Sequence, residues 1–232
     1  RVATGVTVLV VEDNPVNKEV AREMLEMAGL TVHVTVRDPG KPERLAPLQK
    51  LAAGKPGALV FFKADLMEPG SFAKAMAGCG VVFHVASPYT NNKVADPQRE
   101  LVDPALQGTR NVLAEADRQS SVTRVVLTSS CVAIYGDNTD LNKVPGGVFT
   151  EEVWNTSSSL TYRPYFYSKT VAEKEAWVLH GRQNRWQLVV LNPSGVFGPG
   201  ITMHDDSESF HIIRQLGDGT LKTGAPDLGM GV

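Results

Sequence analysis

Short apolar runs rich in β-branched residues alternate along this chain with segments of helical period. Val6 to Val11, Thr31 to Val36, Ala58 to Ala64, Val81 to Val85, Arg124 to Leu127 and Gln187 to Leu191 read as strands. Pro15 to Ala28 reads as a helix, with Val16, Val20, Met24 and Met27 along one side and Gly29 as its stop. Glu43 to Ala53, Ser71 to Ala77 and Leu101 to Arg118 continue the helical series, and another helix carries Tyr165 and Lys169 on to His180. This alternation predicts an α/β fold: a doubly wound parallel sheet covered on both faces, built by right-handed crossovers, with ligands at the carboxyl ends of the strands.

Three segments break the rhythm. Gly136 to Leu160 is a polar stretch of the length expected for a lid or substrate loop. Met203 to Ser209 is polar and acidic and reads as mobile, and Gly217 to Val232 is glycine-rich without a closing element. Composition adds only limits. With 232 residues, 42% hydrophobic and 21% charged, the chain has the make-up of a globular protein of one domain or slightly more. A net charge of −2 gives no electrostatic case for nucleic acid or an anionic membrane, and no apolar run approaches the ~20 residues of a membrane span. The apolar start lacks a basic flank and cleavage site, so no signal peptide is read. Cys79 and Cys131 flank apolar runs and read as reduced, buried thiols of a cytoplasmic protein. The partner expected is a small molecule, and the assembly a monomer or homodimer.

Candidate chemistry is concentrated in Tyr165-Phe166-Tyr167-Ser168-Lys169 and the earlier Thr128-Ser129-Ser130-Cys131. A Tyr and a Lys four apart share a helix face. The serines end an apolar strand and can meet that face. A lysine charge lowers a phenol pKa, and a serine hydroxyl can aim a carbonyl at it, so the set suits proton transfer to an oxygen while hydride moves at carbon. The alternative is a surface Tyr and Lys on an ordinary helix. Other polar positions have plain structural readings: His84 as a satisfied core histidine, Asn111 as a helix-packing amide, Asp65 as a turn residue, Arg37 as a solvated strand-end charge, and Ser157-Ser158-Ser159 as flexible loop.

From Thr31 onward the chain resembles the extended short-chain dehydrogenase/reductase family, in its dihydroflavonol-reductase and cinnamoyl-CoA-reductase branch. The resemblance is carried by Val32 to Pro39, Phe61 to Leu66, Val82 to Pro88, Gly108 to Leu113, Thr128-Ser129-Ser130, Tyr165 to Lys169 and Leu191 to Pro199, in family order and spacing. It implies a Rossmann-like domain over residues 1–192 and a partial, truncated substrate-binding region over 193–232. It also implies roles: Tyr165 as proton donor, Lys169 as ribose holder and tuner of Tyr165, and Ser130, ahead of Ser129, as the bond to the substrate oxygen. Arg37, Asp38, Asp65, Leu66, Val85, Ala86, Ser87, Thr128, Lys169, Pro193 and Val196 would contact the cofactor. An Arg rather than an acid closing strand two favours NADP (NADPH) over NAD. The substrate would be a ketone, aldehyde or thioester carbonyl.

The beginning departs from that pattern. Where the family places three glycines, this chain has Glu12, Pro15 and Lys18. Glycines there permit the tight turn and let the pyrophosphate reach the helix N-terminus. Two like charges about 4 Å apart at an effective dielectric of about 20 repel by about 4 kcal/mol, so Glu12 and Asp13 predict weakened cofactor binding. Residues 6–30 instead resemble the opening of a response-regulator receiver domain. That yields two alternatives: a recombined or engineered receiver/reductase hybrid without activity, and a Mg²⁺-binding module using Glu12, Asp13 and Asp65. A solvated acidic pair capping the next helix is the plain reading of Glu12-Asp13. Family members run past Val232, so an open, water-accessible pocket is also expected.

Overall fold

The computed structural model describes residues 6–11, 29–40, 42–54, 56–87, 94–196 and 208–220. Six strands form one parallel sheet: β1 (Thr7–Val11), β2 (Thr31–Val36), β3 (Ala58–Lys63), β4 (Val81–His84), β5 (Arg124–Thr128) and β6 (Gln187–Leu191). Each matches an apolar run to within about a residue at either end. Between and after them lie helices α1 (Pro42–Ala52), α2 (Ala73–Met76), α3 (Asp103–Arg118), α4 (Pro164–His180) and α5 (Glu208–Gly217). The helix expected over Pro15 to Ala28 falls outside the described residues.

The strand order is β3-β2-β1-β4-β5-β6, that of doubly wound dinucleotide-binding sheets. The order also differs from that of a receiver-type sheet. A receiver-type order, 2-1-3-4-5, sets strand three directly beside strand one. Here β2 lies between them, pairing Val8↔Val32 on one side and Val32↔Leu59 on the other. Asp65, just past β3, therefore stands two strands, about 10 Å, from the line of β1. Glu12 and Asp13, the other members of the Mg²⁺ alternative, lie outside the described residues.

β1 is covered on both faces, which is why it reads as an unbroken apolar run rather than an alternating one. Leu9 and Val11 join Phe72, Met76, Val82, Val112, Leu113, Val125 and Trp186 in the larger core. Val8 and Val10 join Leu30, Val32, Val34 and Leu48 on the opposite face. The larger core underlies the candidate site. An Arg110–Glu175 ion pair at 2.7 Å ties α3 to α4, and the C-terminus of α3 is closed by Arg185, which donates to the Ala116, Asp117 and Gln119 carbonyls. A cation there also complements the helix dipole.

Several expectations change. The Leu101 helix begins earlier, through a π-helical turn at Gln98–Val102, and the Ser71 to Ala77 helix shrinks to α2. The stretch read as mobile up to Ser209 overlaps α5, which starts at Glu208. Both cysteines are free, as expected, but only Cys79 is buried; Cys131 is half-buried. Cys79 donates to the Ala75 carbonyl, and burial pushes its thiol up to about 12. Among the described residues no helix is long and apolar enough to cross a membrane.

Candidate functional site

Four elements build the site: the carboxyl ends of β4 and β5 and the first halves of α3 and α4. Beyond β4, Val85 and Ala86 both donate backbone N–H groups to the Val11 carbonyl, at 3.1 and 2.8 Å, which pins Val85 to Ser87 across the end of β1. Beyond β5, Ser129 N donates to Leu191 O at 2.8 Å and Cys131 N to Pro193 O at 2.9 Å, so the serines run alongside the segment after β6. Ser130 is extended, and its hydroxyl accepts from Val132 N at 3.4 Å, capping a short 3₁₀ turn at Cys131–Ala133. α4 opens on Pro164, whose missing N–H is harmless in a first turn. Ser168 and Thr170 return their hydroxyls to the Tyr165 and Phe166 carbonyls, leaving the face of Tyr165 and Lys169 to other partners. Lys169 is buried, and its Nζ lies 5.9 Å from the Tyr165 ring centroid.

A cavity opens between these elements. Leu66, Ala86, Ser87, Thr128 and Lys169 line it, with Ser129 beside them. Ser130 and Tyr165 are not on its wall; they occupy the next residue of the serine strand end and the preceding turn of α4. The remaining sequence-derived positions stand apart. Arg37 and Asp38 are exposed beyond β2, where Asp38 accepts from Gly40 N. Asp65 uses one carboxylate oxygen to accept from Met67 N at 2.8 Å, a turn-forming role that its sequence also allowed. Val85 is buried, Pro193 accepts from Cys131, and Val196 is 66% exposed. Asn111 is the expected packing amide, donating to the Leu66 carbonyl at 2.6 Å, and Gly108 lets α3 approach Leu66 so closely that a Cβ would sit 3.3 Å from it.

His84 is a correction. It is 2% exposed, as a core histidine should be, yet its Nδ1 has no hydrogen-bond partner among the described residues. Burial pushes its pKa down to about 3, and the Lys169 charge adds to the effect, so the ring is neutral. The Ser129 hydroxyl is orphaned in the same way. Buried polar atoms rarely go unsatisfied. Both belong to residues lining the same cavity. Sequence reasoning also missed Glu173, which lines the cavity and accepts from Asn192 Nδ2 at 2.8 Å and Trp177 Nε1 at 3.4 Å. Its position four after Lys169 was the available signal.

The stretch expected as a polar lid is built rather than loose. Two further 3₁₀ segments, Asn138–Lys143 and Pro145–Gly147, lie within it. Asp140 accepts from Gly136 N, Asp137 N, Lys143 Nζ and Ser157 Oγ. Burial raises its pKa, but the bonds from Lys143, Ser157 and the two amides outweigh this, and the net shift is downward. Asn155 accepts from Ser157 N and Ser158 N, so the serine run read as flexible is fixed at its first two members. At the far end Arg163 adopts a left-handed conformation, φ 52°, at a cost of about 1–2 kcal/mol for a residue with a Cβ.

A parallel sheet of this order, with a Tyr–Lys helix against a serine strand end at its carboxyl edge, defines a dinucleotide-fold protein of reductase type. Comparison with known proteins agrees. The chain belongs to the NAD dependent epimerase/dehydratase family, whose model matches residues 19–226. It is 42% identical over 174 residues to cinnamoyl-CoA reductase CAD2 of Medicago truncatula, covering 74% of this chain and 52% of that protein. It is 38% identical over 181 residues to anthocyanidin reductase of Arabidopsis thaliana, covering 75% and 51%. Among solved structures, Gre2 from Candida albicans in complex with NADPH superposes with a TM-score of 0.70 at 28% identity, covering 84% of this chain and 59% of that one. Vestitone reductase from alfalfa gives 0.66 at 27% identity, covering 86% and 61%. The chain spans about half the length of the curated relatives it matches.

Proposed function

We propose that this chain is the cofactor-and-proton half of an NADP-dependent carbonyl reductase. The observation that carries the reading is the placement of Lys169, buried on the cavity wall one helical turn from Tyr165, opposite the strand end that holds Ser129 and Ser130. When bound, NADPH supplies the hydride. Lys169, Thr128, Ala86 and Ser87 would hold its nicotinamide half, and the orphaned Ser129 hydroxyl supports a polar group at that spot. Arg37, exposed beyond β2, supports a 2′-phosphate, and the NADPH-bound Gre2 neighbour points the same way. Tyr165 gives its phenolic proton to the carbonyl oxygen as negative charge develops there, and the Lys169 ammonium makes that proton easier to release. Ser130 orients the same oxygen. The substrate class is a ketone, aldehyde or thioester, in keeping with the relatives' names. The cytoplasmic setting and the 1–192/193–232 division belong to the same proposal.

Titration calorimetry with NADPH, then turnover of a carbonyl panel by the chain and its Tyr165→Phe variant, tests the reading. Micromolar NADPH binding and a loss of at least about 100-fold in kcat for Tyr165→Phe are expected. Absence of NADPH binding at millimolar concentration overturns it in favour of a second reading, a folded hybrid without cofactor. That second reading is motivated by Glu12, Pro15 and Lys18 standing where the family has glycine.

A further inference from the structure

The strongest departure from ordinary backbone geometry lies two residues before Tyr165. Arg163 is the one non-glycine among the described residues with positive φ, at φ 52° and ψ 58°. A Cβ crowds the neighbouring carbonyl in this region. Pro164 follows, and a residue before proline is pushed toward extended backbone. Both effects oppose the observed conformation, so its side-chain contacts must hold it. The Arg163 guanidinium donates from Nη1 to the Gly136 carbonyl at 2.8 Å, and its Nη2 lies 3.5 Å from Asp137 Oδ2. Its Cζ stands 5.5 Å from the Tyr162 ring centroid and 5.2 Å from that of Phe166. Asp137 Oδ2 also accepts from the Tyr162 hydroxyl at 2.7 Å. Residues on both sides of Arg163 are thus gathered onto the 136–137 peptide.

That peptide is fixed from its other side. Gly136 N and Asp137 N donate to Asp140 Oδ2 at 3.1 and 3.0 Å. A Cβ on Gly136 would collide with Asn155 and Ser157. Asn155 in turn donates from Nδ2 to the Val132 carbonyl and from its backbone N–H to the Ala133 carbonyl. Val132 and Ala133 belong to the turn that Ser130 caps. A continuous set of bonds therefore runs from the Ser130 turn to the residue that launches the Tyr165 helix.

We propose that Arg163 and Asp137 are positioning residues, a latch that holds the first turn of the Tyr165 helix in register with the Ser130 turn so that phenol and hydroxyl face one substrate oxygen. The inference rests on the reductase reading for its purpose but not for its test. Released, Arg163 relaxes to extended backbone and swings Tyr165, which lies in the first turn of α4, where backbone N–H groups have no intrahelical partner. Strain of this kind persists only where surrounding contacts over-determine it.

The test uses the full chain labelled with [13Cζ]tyrosine, with the Tyr165 signal assigned by its loss in Tyr165→Phe. Three variants separate the contributions: Arg163→Gly removes the guanidinium and leaves the backbone free to leave the left-handed region, Arg163→Lys keeps the charge without the fork, and Asp137→Asn removes the charge at constant shape. In folded protein, each is expected to shift the Tyr165 signal and move its titration midpoint by about half a pH unit or more. Where turnover is measurable, kcat falls about tenfold with KM within about twofold, the mark of lost orientation rather than lost binding. An unchanged Tyr165 signal and midpoint in all three variants overturns the latch, even if their thermal stability falls. Should Arg163→Gly fail to fold, the isosteric Asp137→Asn decides. A wild-type chain that binds no NADPH sinks the reductase reading alone, because the tyrosine spectrum still reports on the latch.

Discussion

His84 shows how one buried side chain couples the site to the stability of the molecule. Its folded pKa is depressed to about 3 from an ordinary 6.5, chiefly by burial. The unfolded chain takes up a proton as pH falls through 6.5, whereas the folded chain resists until about 3. The sign follows: the neutral ring's contribution to stability is complete above pH 6.5 and is lost progressively as pH falls toward 3. His84→Leu is therefore expected to remove about one proton from the pH slope of unfolding free energy. Urea melts of both proteins between about pH 4 and 7 measure it. Parallel slopes would mean the ring is hydrated and titrates normally. The sequence placed His84 in a strand and in the core, but not its missing partner. Satisfaction depends on which atoms β1, β5 and α4 bring to it, and no local pattern encodes that.

At the level of elements, legibility tracked how local the cause was. The six strands and the Tyr–Lys helix follow from apolar period and β-branched runs, which act within a few residues. The 3₁₀ segments after Ser130 carry local caps, Ser130 on Val132 and Asp137 with Asp140, but their anchoring to the rest of the loop is distant in sequence. Asp140 is held by Ser157, and Asn155 reaches back to Val132. Arg163 escaped notice because nothing in its identity signals a left-handed residue. α5 was hidden by the polar residues that precede it, although Ile212, Ile213 and Leu216 fit a helical face. Gly136 is the element-scale test of this loop. Gly136→Ala drives a methyl into Asn155 and Ser157, and overpacking of this kind costs about 1–3 kcal/mol. A thermal midpoint lowered by several degrees is expected, and an unchanged one would show that the 136–157 contact yields freely.

For the molecule as a whole, the sheet divides the labour. Lys169, the serines and the cavity sit over β4 and β5, while the altered glycine positions follow β1 in the sequence. In the proposed function, proton chemistry and phosphate binding would therefore be carried by different strands, so that a change in one need not disturb the other. Restoring the family pattern with Glu12→Gly, Pro15→Gly and Lys18→Gly together should raise NADPH affinity at least about tenfold, since a repulsion of up to about 4 kcal/mol is removed. Equal affinities by calorimetry would place the determinant elsewhere.

The central position of β1 has a consequence during synthesis. One edge pairs with β2, Val8 against Val32, but the other waits for β4, where Val8 meets Val81. At about 5–20 residues per second, the ribosome needs several seconds to deliver that second partner. Over that interval the most apolar strand of the protein offers an open hydrogen-bonding edge, the kind of surface that recruits other nascent chains and the chaperones that shield them.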